Sequence, residues 1–397
     1  MKGCFSILFW AGLLLAIVGV LSFFLQSQPE AIYYPTKLIG LLIIFTGILG
    51  LVLGLKAPPI TYYTALGITI ISVILLGIFI VRSFFSYQGE SIQFTNGSVQ
   101  LKGTLIKPYG SGPFPGVVLL HDAQLNTARE NQVFAEFFAR RGMAVLTFDK
   151  RGYGQSQGTL PYSIYDLAGD ARAAYSYLEA LPDVEQSGFW ALGEGTRAAV
   201  LAATQMENKP AFMIMVSSSG LSPAAQRHWL YEKRARHQGL NATERSWVKE
   251  ILDKMDEYYR TGESEEEILA QIERIKPEAW FRKSMNMEPD QTPKRLNDWF
   301  SDWHYPEDLD LDVLPFLEQL ATPCLFIFGD EDANTPVSLT ITSLERINSQ
   351  SKGKKDWRIL SFPNADHYIM TPQDFFHPRF FKNMDQWLTE KIKETPD

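Results

Sequence analysis

The chain has 397 residues, enough for one large domain with an appendage or for two domains. It carries 37 Lys and Arg against 45 Asp and Glu, a formal net charge of −8. Glu30 is the one acid before Arg82, so the acidic excess belongs to the rest of the chain. Because phosphate binding needs clustered cations, this charge argues against a nucleic-acid partner.

Three apolar segments open the chain, at residues 5–25, 38–55 and 60–81. Each is long enough to cross roughly 30 Å of hydrocarbon as a helix, which predicts three transmembrane helices and a lipid bilayer as partner. The flanking cations are evenly divided between the two sides, and the free amino terminus favours the cytoplasmic side for the start of the chain. We therefore expect an integral protein of the bacterial inner membrane, with its C-terminal domain outside the cytoplasm.

From residue 91 the pattern changes to alternating strands and helices. Asn96-Gly97 predicts the turn of an opening hairpin between residues 92–95 and 99–107. Short apolar strands then alternate with helical segments, which predicts an α/β fold with a mostly parallel, doubly wound sheet. The further predicted strands are 116–121, 143–149, 188–192, 211–217, 323–329 and 356–363, and the predicted helices include 128–141, 163–181 and 372–392.

About 100 residues between two of these strands have a different character, being charged, helical and rich in Trp and Tyr. A block of this kind is typical of a lid over the C-terminal edge of the sheet. The predicted organisation is thus a membrane region at 1–85, an α/β core made of 86–220 and 321–397, and a helical lid insertion at 221–320.

The stretch Ala191-Leu-Gly193-Glu194-Gly195 joins an apolar strand to an Ala-rich helix. Small residues at such a turn are typical of a nucleophile elbow, G-x-S-x-G, whose tip carries the reactive side chain. Here the tip is Gly193, which has no side chain. Shifting the register to put Glu194 at the tip fails, because Leu192 and Thr196 would then fill positions that need small residues.

Polar residues follow four predicted strands, at 121–122, 193–194, 330–332 and 364–367. In an open α/β sheet the functional groups collect at these C-terminal strand ends. The order along the chain is elbow, then acid, then histidine, which is the order used by α/β-hydrolases.

Several segments resemble the bacterial α/β-hydrolases of the serine-aminopeptidase-like and dienelactone-hydrolase-like esterase group. Residues 149–158 are similar to the D-x-R-G-x-G-x-S-x-G loop of that group, and residues 119–121 to its oxyanion strand. Residues 329–336 resemble its acid loop and residues 362–367 its histidine loop. Together they span about residues 99–392, and the resemblance implies an α/β-hydrolase fold with activity on ester or peptide bonds.

The resemblance also assigns roles to two side chains. His367 corresponds to the general base, and Asp332 to the acid that orients the imidazole, although Asp330 or Glu331 could share that role. Backbone N–H groups at Asp122, Ala123 and Glu194 correspond to the oxyanion donors.

Two residues depart from the family pattern. Gly193 replaces the nucleophilic serine, and Asp122 stands where the family usually has glycine. A carboxylate beside the oxyanion donors opposes the charge that develops there, unless Asp122 points into solvent.

Three interpretations of the function remain open. The chain is a hydrolase-fold protein without serine-hydrolase activity, either a natural one or a nucleophile-deleted copy of an active enzyme. Alternatively it is an active hydrolase with an unrecognised nucleophile, for which Ser217–Ser219 are the nearest candidates, or a non-catalytic protein that binds a small acyl or peptide ligand in the cleft between core and lid.

No cofactor and no metal are expected from the sequence. Residues 193–198 spell G-x-G-x-x-A, but the next strand ends in Val216-Ser-Ser-Ser219 without the acid that a dinucleotide ribose needs. The histidines at 228, 237 and 304 lack metal-ligand spacing.

Overall fold

The computed structural model describes residues 87–160, 162–285, 296, 308–351 and 355–393. The three predicted membrane segments lie outside these residues. Of the helices in the described part, none combines the length and the apolar composition needed to cross a bilayer.

Eight strands form one sheet at the centre of the described chain. They are β1 (Tyr87–Asn96), β2 (Val99–Pro108), β3 (Phe114–Leu120), β4 (Ala144–Phe148), β5 (Val184–Leu192), β6 (Met213–Val216), β7 (Cys324–Gly329) and β8 (Trp357–Phe362). Their spatial order is β1-β2-β4-β3-β5-β6-β7-β8. The β1–β2 and β2–β4 pairs are antiparallel and every later pair is parallel, which confirms the predicted mostly parallel sheet.

The opening hairpin forms with its turn at the predicted Asn96-Gly97 position. Asn96 pairs with Val99 across the turn, and Gly97 has a φ of 57°, a conformation that glycine adopts without strain. Ile92 and Phe94 on β1 are buried while their neighbours are exposed, as expected for a strand with one solvated face.

Helices cover both faces of the sheet, so the central strands are apolar throughout rather than alternating. In β5, Phe189 and Ala191 pack on one face, and Trp190 and Leu192 on the other. The first face is covered by α2 (Ile164–Glu179), α3 (Glu194–Gln205), α8 (Leu314–Gln319) and α9 (Val337–Gln350), and the second by α1 (Gln132–Ala139) and α10 (Phe380–Lys393).

Two predicted helices differ from the observed ones at their starts. The segment predicted over 128–141 opens with a 3-10 turn at Ala128–Asn131 before α1 begins. The closing helix begins at Phe380, not at residue 372. The chain first folds back on itself there, since Met370 bridges Phe376 and the His377 N–H donates to the Ile369 carbonyl.

Between β6 and β7, four helices of the described residues share an apolar cluster of their own and are here called the insertion. They are α4 (Pro223–His237), α5 (Ala242–Thr261), α6 (Glu265–Ile275) and α7 (Ala279–Met285). Helix α4 is tied to the loop after β7, because Lys233 Nζ donates to the Asp332 carbonyl and Gln226 Nε2 to the Asn334 carbonyl. The insertion therefore contacts the loop that carries the predicted catalytic acid.

Candidate active site

The predicted elbow is a sharp turn between β5 and α3. Gly193 has a φ of 52° and a ψ of −115°, a conformation that side chains with a Cβ adopt only with strain. At Gly195 an added Cβ would lie 2.8 Å from the Leu120 carbonyl oxygen and 2.7 Å from that of His121. The second glycine thus allows α3 to pack directly against the end of β3.

Asp332 and His367 meet at the ends of β7 and β8. His367 Nδ1 lies 2.8 Å from Asp332 Oδ2, while Asp332 Oδ1 accepts the backbone N–H groups of Asn334 and Thr335 at 2.7 and 2.9 Å. Asp332 is buried, whereas the neighbouring acids at 330 and 331 are exposed. The arrangement orients the imidazole and directs its Nε2 towards the elbow.

Two hydroxyl groups, those of Thr335 and Ser217, also contact His367. Thr335 Oγ1 lies 3.3 Å from His367 Nδ1, and Ser217 Oγ donates to the His367 carbonyl at 2.6 Å. Ser218 and Ser219 line a separate small cavity between α3 and α9. The Ser217 hydroxyl is thus bonded to the backbone of His367, not to its imidazole.

The Asp122 carboxylate points into the site, not into solvent. Its Oδ1 accepts the Glu194 N–H at 3.3 Å and lies 3.6 Å from His367 Nε2, and the Ala123 N–H bonds to the same carboxylate. Tyr368 donates its hydroxyl to Oδ2 at 3.2 Å. The N–H groups predicted to hold an oxyanion thus hold a carboxylate from the protein itself.

Gly193 and Asp122 compete for one volume. A Cβ built on Gly193 would overlap Asp122 Oδ1, and it would lie 2.7 Å from Asp122 Cγ and 3.1 Å from His367 Nε2. The space that an elbow side chain needs is therefore filled by the Asp122 carboxylate. Gly193 and Asp122, the two departures from the family pattern, therefore depend on each other, because the Asp122 carboxylate fits only where position 193 has no side chain.

A buried ion pair between Lys150 and Glu194 holds the loop that carries Asp122 next to the elbow. Lys150 Nζ donates to the Asp122 carbonyl at 2.6 Å and to Glu194 Oε2 at 2.9 Å. Both charged side chains are 3% exposed. One ammonium group therefore ties the loop after β3 to the residue that follows the elbow.

The side chains of His367, Asp122 and Asp332 shift one another's pKa values. Burial alone would lower the pKa of His367, but its contacts with Asp122 and Asp332 outweigh burial and raise the pKa to about 10. Burial would raise the pKa of Asp122, yet His367 and the N–H groups of Ala123 and Glu194 lower it to about 2. Against the opposing effect of burial, the hydrogen bond to His367 also lowers the pKa of Asp332. At neutral pH the site holds an imidazolium between two carboxylates.

His121 directly precedes Asp122, and its imidazole stays neutral. Burial, reinforced by the charge of Lys150, lowers its pKa to about 3. His121 Nε2 lies 3.1 Å from the Thr127 carbonyl oxygen, so the ring donates there and holds the loop that carries Asp122. The predicted oxyanion strand therefore positions this loop.

Sequence reasoning did not single out Lys150, Tyr368 or Thr335. Lys150 lies inside the Asp149–Gly158 loop, where a cation beside a predicted strand end is a usable signal. Tyr368 directly follows the predicted base. Thr335 precedes Pro336 in the acid loop and has no distinctive sequence signal.

The described residues contain no group of three or more His, Cys, Asp or Glu side chains placed to hold a metal ion. The polar groups around Gly193 instead bond to one another. What the arrangement offers chemically is a carboxylate, an imidazolium and a set of N–H donors.

Comparisons with known proteins agree on the fold. Residues 275–395 match the sequence model of the prolyl oligopeptidase family. The polyketide transferase claH of Penicillium crustosum is 28% identical over 141 residues, which make up 32% of this chain and 43% of that protein. An uncharacterized protein of Mycobacterium tuberculosis is 33% identical over 108 residues, 27% of this chain and 37% of the relative. Each match spans less than half of the relative's length.

Among solved structures, the esterase PF2001 of Pyrococcus furiosus superposes with a TM-score of 0.50 at 14% identity, over 78% of this chain and 92% of that chain. Such low identity bears on the fold alone. The strand order, the elbow between β5 and α3 and the acid and histidine after β7 and β8 agree with it. The chain has the α/β-hydrolase fold.

Proposed function

We propose that this chain is a membrane-anchored α/β-hydrolase-fold protein of the serine-aminopeptidase-like and dienelactone-hydrolase-like group that does not perform serine-type acyl transfer. Gly193 stands at the nucleophile position, and Asp122 takes the space and the hydrogen bonds that the serine and the oxyanion use in that group. Asp332 and His367 keep the acid and base positions.

The position of the Asp122 carboxylate carries the proposal. Its Oδ1 accepts the Glu194 N–H and fills the volume in which a side chain at position 193 would stand. A substrate carbonyl that came to the oxyanion donors would have to displace a charged group that is already hydrogen-bonded. Removing a nucleophile alone costs several orders of magnitude in rate, and here the oxyanion donors are occupied as well.

The protonation state of His367 supports the same conclusion. A general base must be neutral to accept a proton, whereas Asp122 and Asp332 raise the pKa of His367 to about 10. The imidazole is thus held as its conjugate acid at neutral pH. Neither a serine nor a water is deprotonated by this histidine while Asp122 remains charged beside it.

Membrane anchoring rests on the three apolar segments of residues 5–25, 38–55 and 60–81. The insertion lies next to the acid loop, and we assign to it the role of a lid over a cleft that takes a small acyl or peptide ligand. Alkaline carbonate washing should leave the chain in the membrane pellet, and its release into the wash contradicts anchoring.

A fluorophosphonate probe tests the loss of serine chemistry on the purified full-length chain. The wild type, Gly193→Ser and Asp122→Gly should each stay unlabelled. In Gly193→Ser the new hydroxyl-bearing side chain meets the Asp122 carboxylate, and Asp122→Gly by itself supplies no nucleophile. The double variant should be labelled at position 193, at a cost of about 1–3 kcal/mol for a serine in the strained elbow conformation.

Adding His367→Ala to the double variant is the matched control and should abolish labelling. Labelling of a serine in the wild type contradicts the proposal. A double variant that folds but remains unlabelled contradicts the assignment of Asp122 and Gly193 as the two changes that remove serine chemistry.

A further inference from the structure

We infer that the small cavity between α3 and α9 binds one halide ion, such as chloride, with Arg197 as its counter-charge. The cavity lies on the face of the sheet that α3, α8 and α9 cover, and the Asp122 carboxylate does not line it. The inference goes beyond the proposed function and does not depend on the loss of serine chemistry.

The guanidinium of Arg197 is a buried cation that bonds to neutral oxygens. Arg197 is 7% exposed, and its Nη2 donates to the Leu221 carbonyl at 3.1 Å and to Gln226 Oε1 at 2.5 Å. Its Nε has no hydrogen-bond partner among the described residues. Because a buried charge without a bonded counter-charge is costly, an anion at this N–H would stabilise the arginine.

The carboxylates nearest to this arginine leave its charge partly uncompensated. Burial lowers the pKa of Arg197 to about 10, and the charges of Glu194, Asp122 and Asp308 oppose that effect without cancelling it. Glu194 is bonded to Lys150 instead. The guanidinium is therefore charged at neutral pH, in surroundings that still disfavour its charge.

The polar lining of the cavity suits an anion. It consists of one guanidinium and four hydroxyl side chains, those of Thr196, Ser218, Ser219 and Thr340. No acidic side chain of the described residues lines it. Thr340 Oγ1 accepts the Gly220 N–H at 3.0 Å, a bond that does not use the hydroxyl hydrogen. The Arg197 Nε–H and the hydroxyls of Ser218 and Thr340 can thus donate to one species in the cavity.

The size of the cavity restricts that species to a small ion. Its volume is about 10 Å³, which admits one particle about as large as a water molecule. Sulfate, phosphate and organic acids are therefore too large. A water would accept from the Arg197 N–H but would leave the charge unpaired, whereas a halide supplies both the acceptor and the charge.

The rest of the lining strengthens the attraction between the ion and the arginine. These side chains are apolar and come from the core: Val200, Met215, Val313, Leu317 and Leu344. Opposite charges attract more strongly where water does not screen them. Arg197 and Ser218 each keep 7% exposure, so an ion can reach the cavity from solvent.

Occupancy would stabilise the junction between the core and the insertion. Arg197 lies on α3, while its partners Leu221 and Gln226 lie where the chain enters the insertion. Thr340 on α9 holds the same segment through Gly220. One ion in the cavity therefore contacts α3, α9 and the segment that leads from β6 into α4.

Nuclear magnetic resonance of chloride tests binding to the purified full-length chain in mild detergent and gluconate buffer. Exchange with a protein site broadens the chloride signal. The wild type should broaden it beyond detergent alone, bromide should reverse the broadening by competition, and sulfate should not. Ser218→Ala removes one donor and should weaken chloride binding about 10-fold, and Arg197→Gln should abolish it. Arg236→Gln on α4, whose side chain is 67% exposed, is the matched control and should bind as the wild type does.

Thermal unfolding gives a second readout. Chloride at about 0.3 M should raise the melting temperature of the wild type by about 2 °C or more relative to gluconate at equal ionic strength, and should not raise that of Arg197→Gln. If Arg197→Gln does not fold, Ser218→Ala decides, since its response must shift to higher chloride concentrations.

Three results would overturn the inference. The first is no excess broadening by the wild type, which means that the cavity holds a water only. The second is broadening that folded Arg197→Gln and Ser218→Ala leave unchanged. The third is equal stabilisation by chloride and gluconate, which assigns the effect to screening. Each of them leaves the fluorophosphonate test of the proposed function unaffected.

Discussion

The two sides of the site differ in which side chains they present. The histidine side, Asp332 with His367, has the geometry of an acid that orients a base, with a 2.8 Å contact and two backbone donors on the acid. The elbow side, Gly193 with Asp122, has the backbone turn, but its tip carries no side chain and the Asp122 carboxylate from the loop after β3 fills that space. The comparison shows that an elbow-like turn and its N–H donors are present here with a carboxylate bound to them.

The two sides are not independent, because the change on one alters the charge on the other. With a neutral serine at the tip, His367 would face one carboxylate. With Asp122 there it faces two, and its pKa rises to about 10. A single aspartate thus fills the space above Gly193 and favours the protonated form of the neighbouring imidazole.

The largest effect on stability is expected from the ion pair behind the elbow. Lys150→Met removes the ammonium that bonds to Glu194, whose side chain is 3% exposed. Removing one partner of a buried ion pair costs about 3–5 kcal/mol, because the remaining charge loses its bonded counter-charge in a low-dielectric environment. Urea unfolding of the full-length chain in mild detergent measures it.

Lys107→Met is the matched control, since its 2.8 Å pair with Asp183 is 20% and 25% exposed. A partly solvated pair of this kind contributes about 0–1 kcal/mol. Similar losses in the two variants would show that the elbow side does not depend on its buried pair.

A smaller effect is expected in the pH dependence of stability. The folded-state pKa of His367, about 10, lies above its unfolded value, so its contribution is complete below roughly pH 6.5 and is lost as the pH rises towards 10. Asp122→Asn removes one of the two carboxylates. It should therefore lower stability by about 1.5–3 kcal/mol at pH 6 and by less at pH 10.

Urea unfolding of both proteins at pH 6, 8 and 10 measures that difference. Asp366→Asn, an exposed carboxylate one position before His367, controls for a general loss of negative charge. A difference between wild type and Asp122→Asn that stays constant over this pH range would mean that Asp122 does not interact with the charge of His367.

Much of the fold could be predicted because its signals are local. The apolar runs of the central strands and the Asn96-Gly97 turn act over a few residues and were placed correctly. The start of α10 was wrong by eight residues, since the bridge between Met370 and Phe376 depends on a fold-back that helical spacing does not encode.

The site could be predicted only in part, because some of its contacts join residues that are far apart in the sequence. The positions of Gly193, Asp332 and His367 follow from strand ends and from their order along the chain. The inward direction of Asp122 depends on contacts across the sequence, with Lys150 on its carbonyl and with Tyr368 on its carboxylate, 246 positions away. Sequence alone shows that Asp122 is unusual, but not that it fills the space above Gly193.

The titration of His367 tests the central claim most directly, that the Asp122 carboxylate occupies the nucleophile's place beside the imidazole. Nuclear magnetic resonance of the histidine-labelled full-length chain resolves it, with His367→Gln assigning one signal among six histidines. We predict an imidazolium through neutral pH with a midpoint near the pKa of about 10, and a clearly lower midpoint in Asp122→Asn. A midpoint near or below the ordinary histidine value of about 6.5, unchanged by Asp122→Asn, would contradict the account.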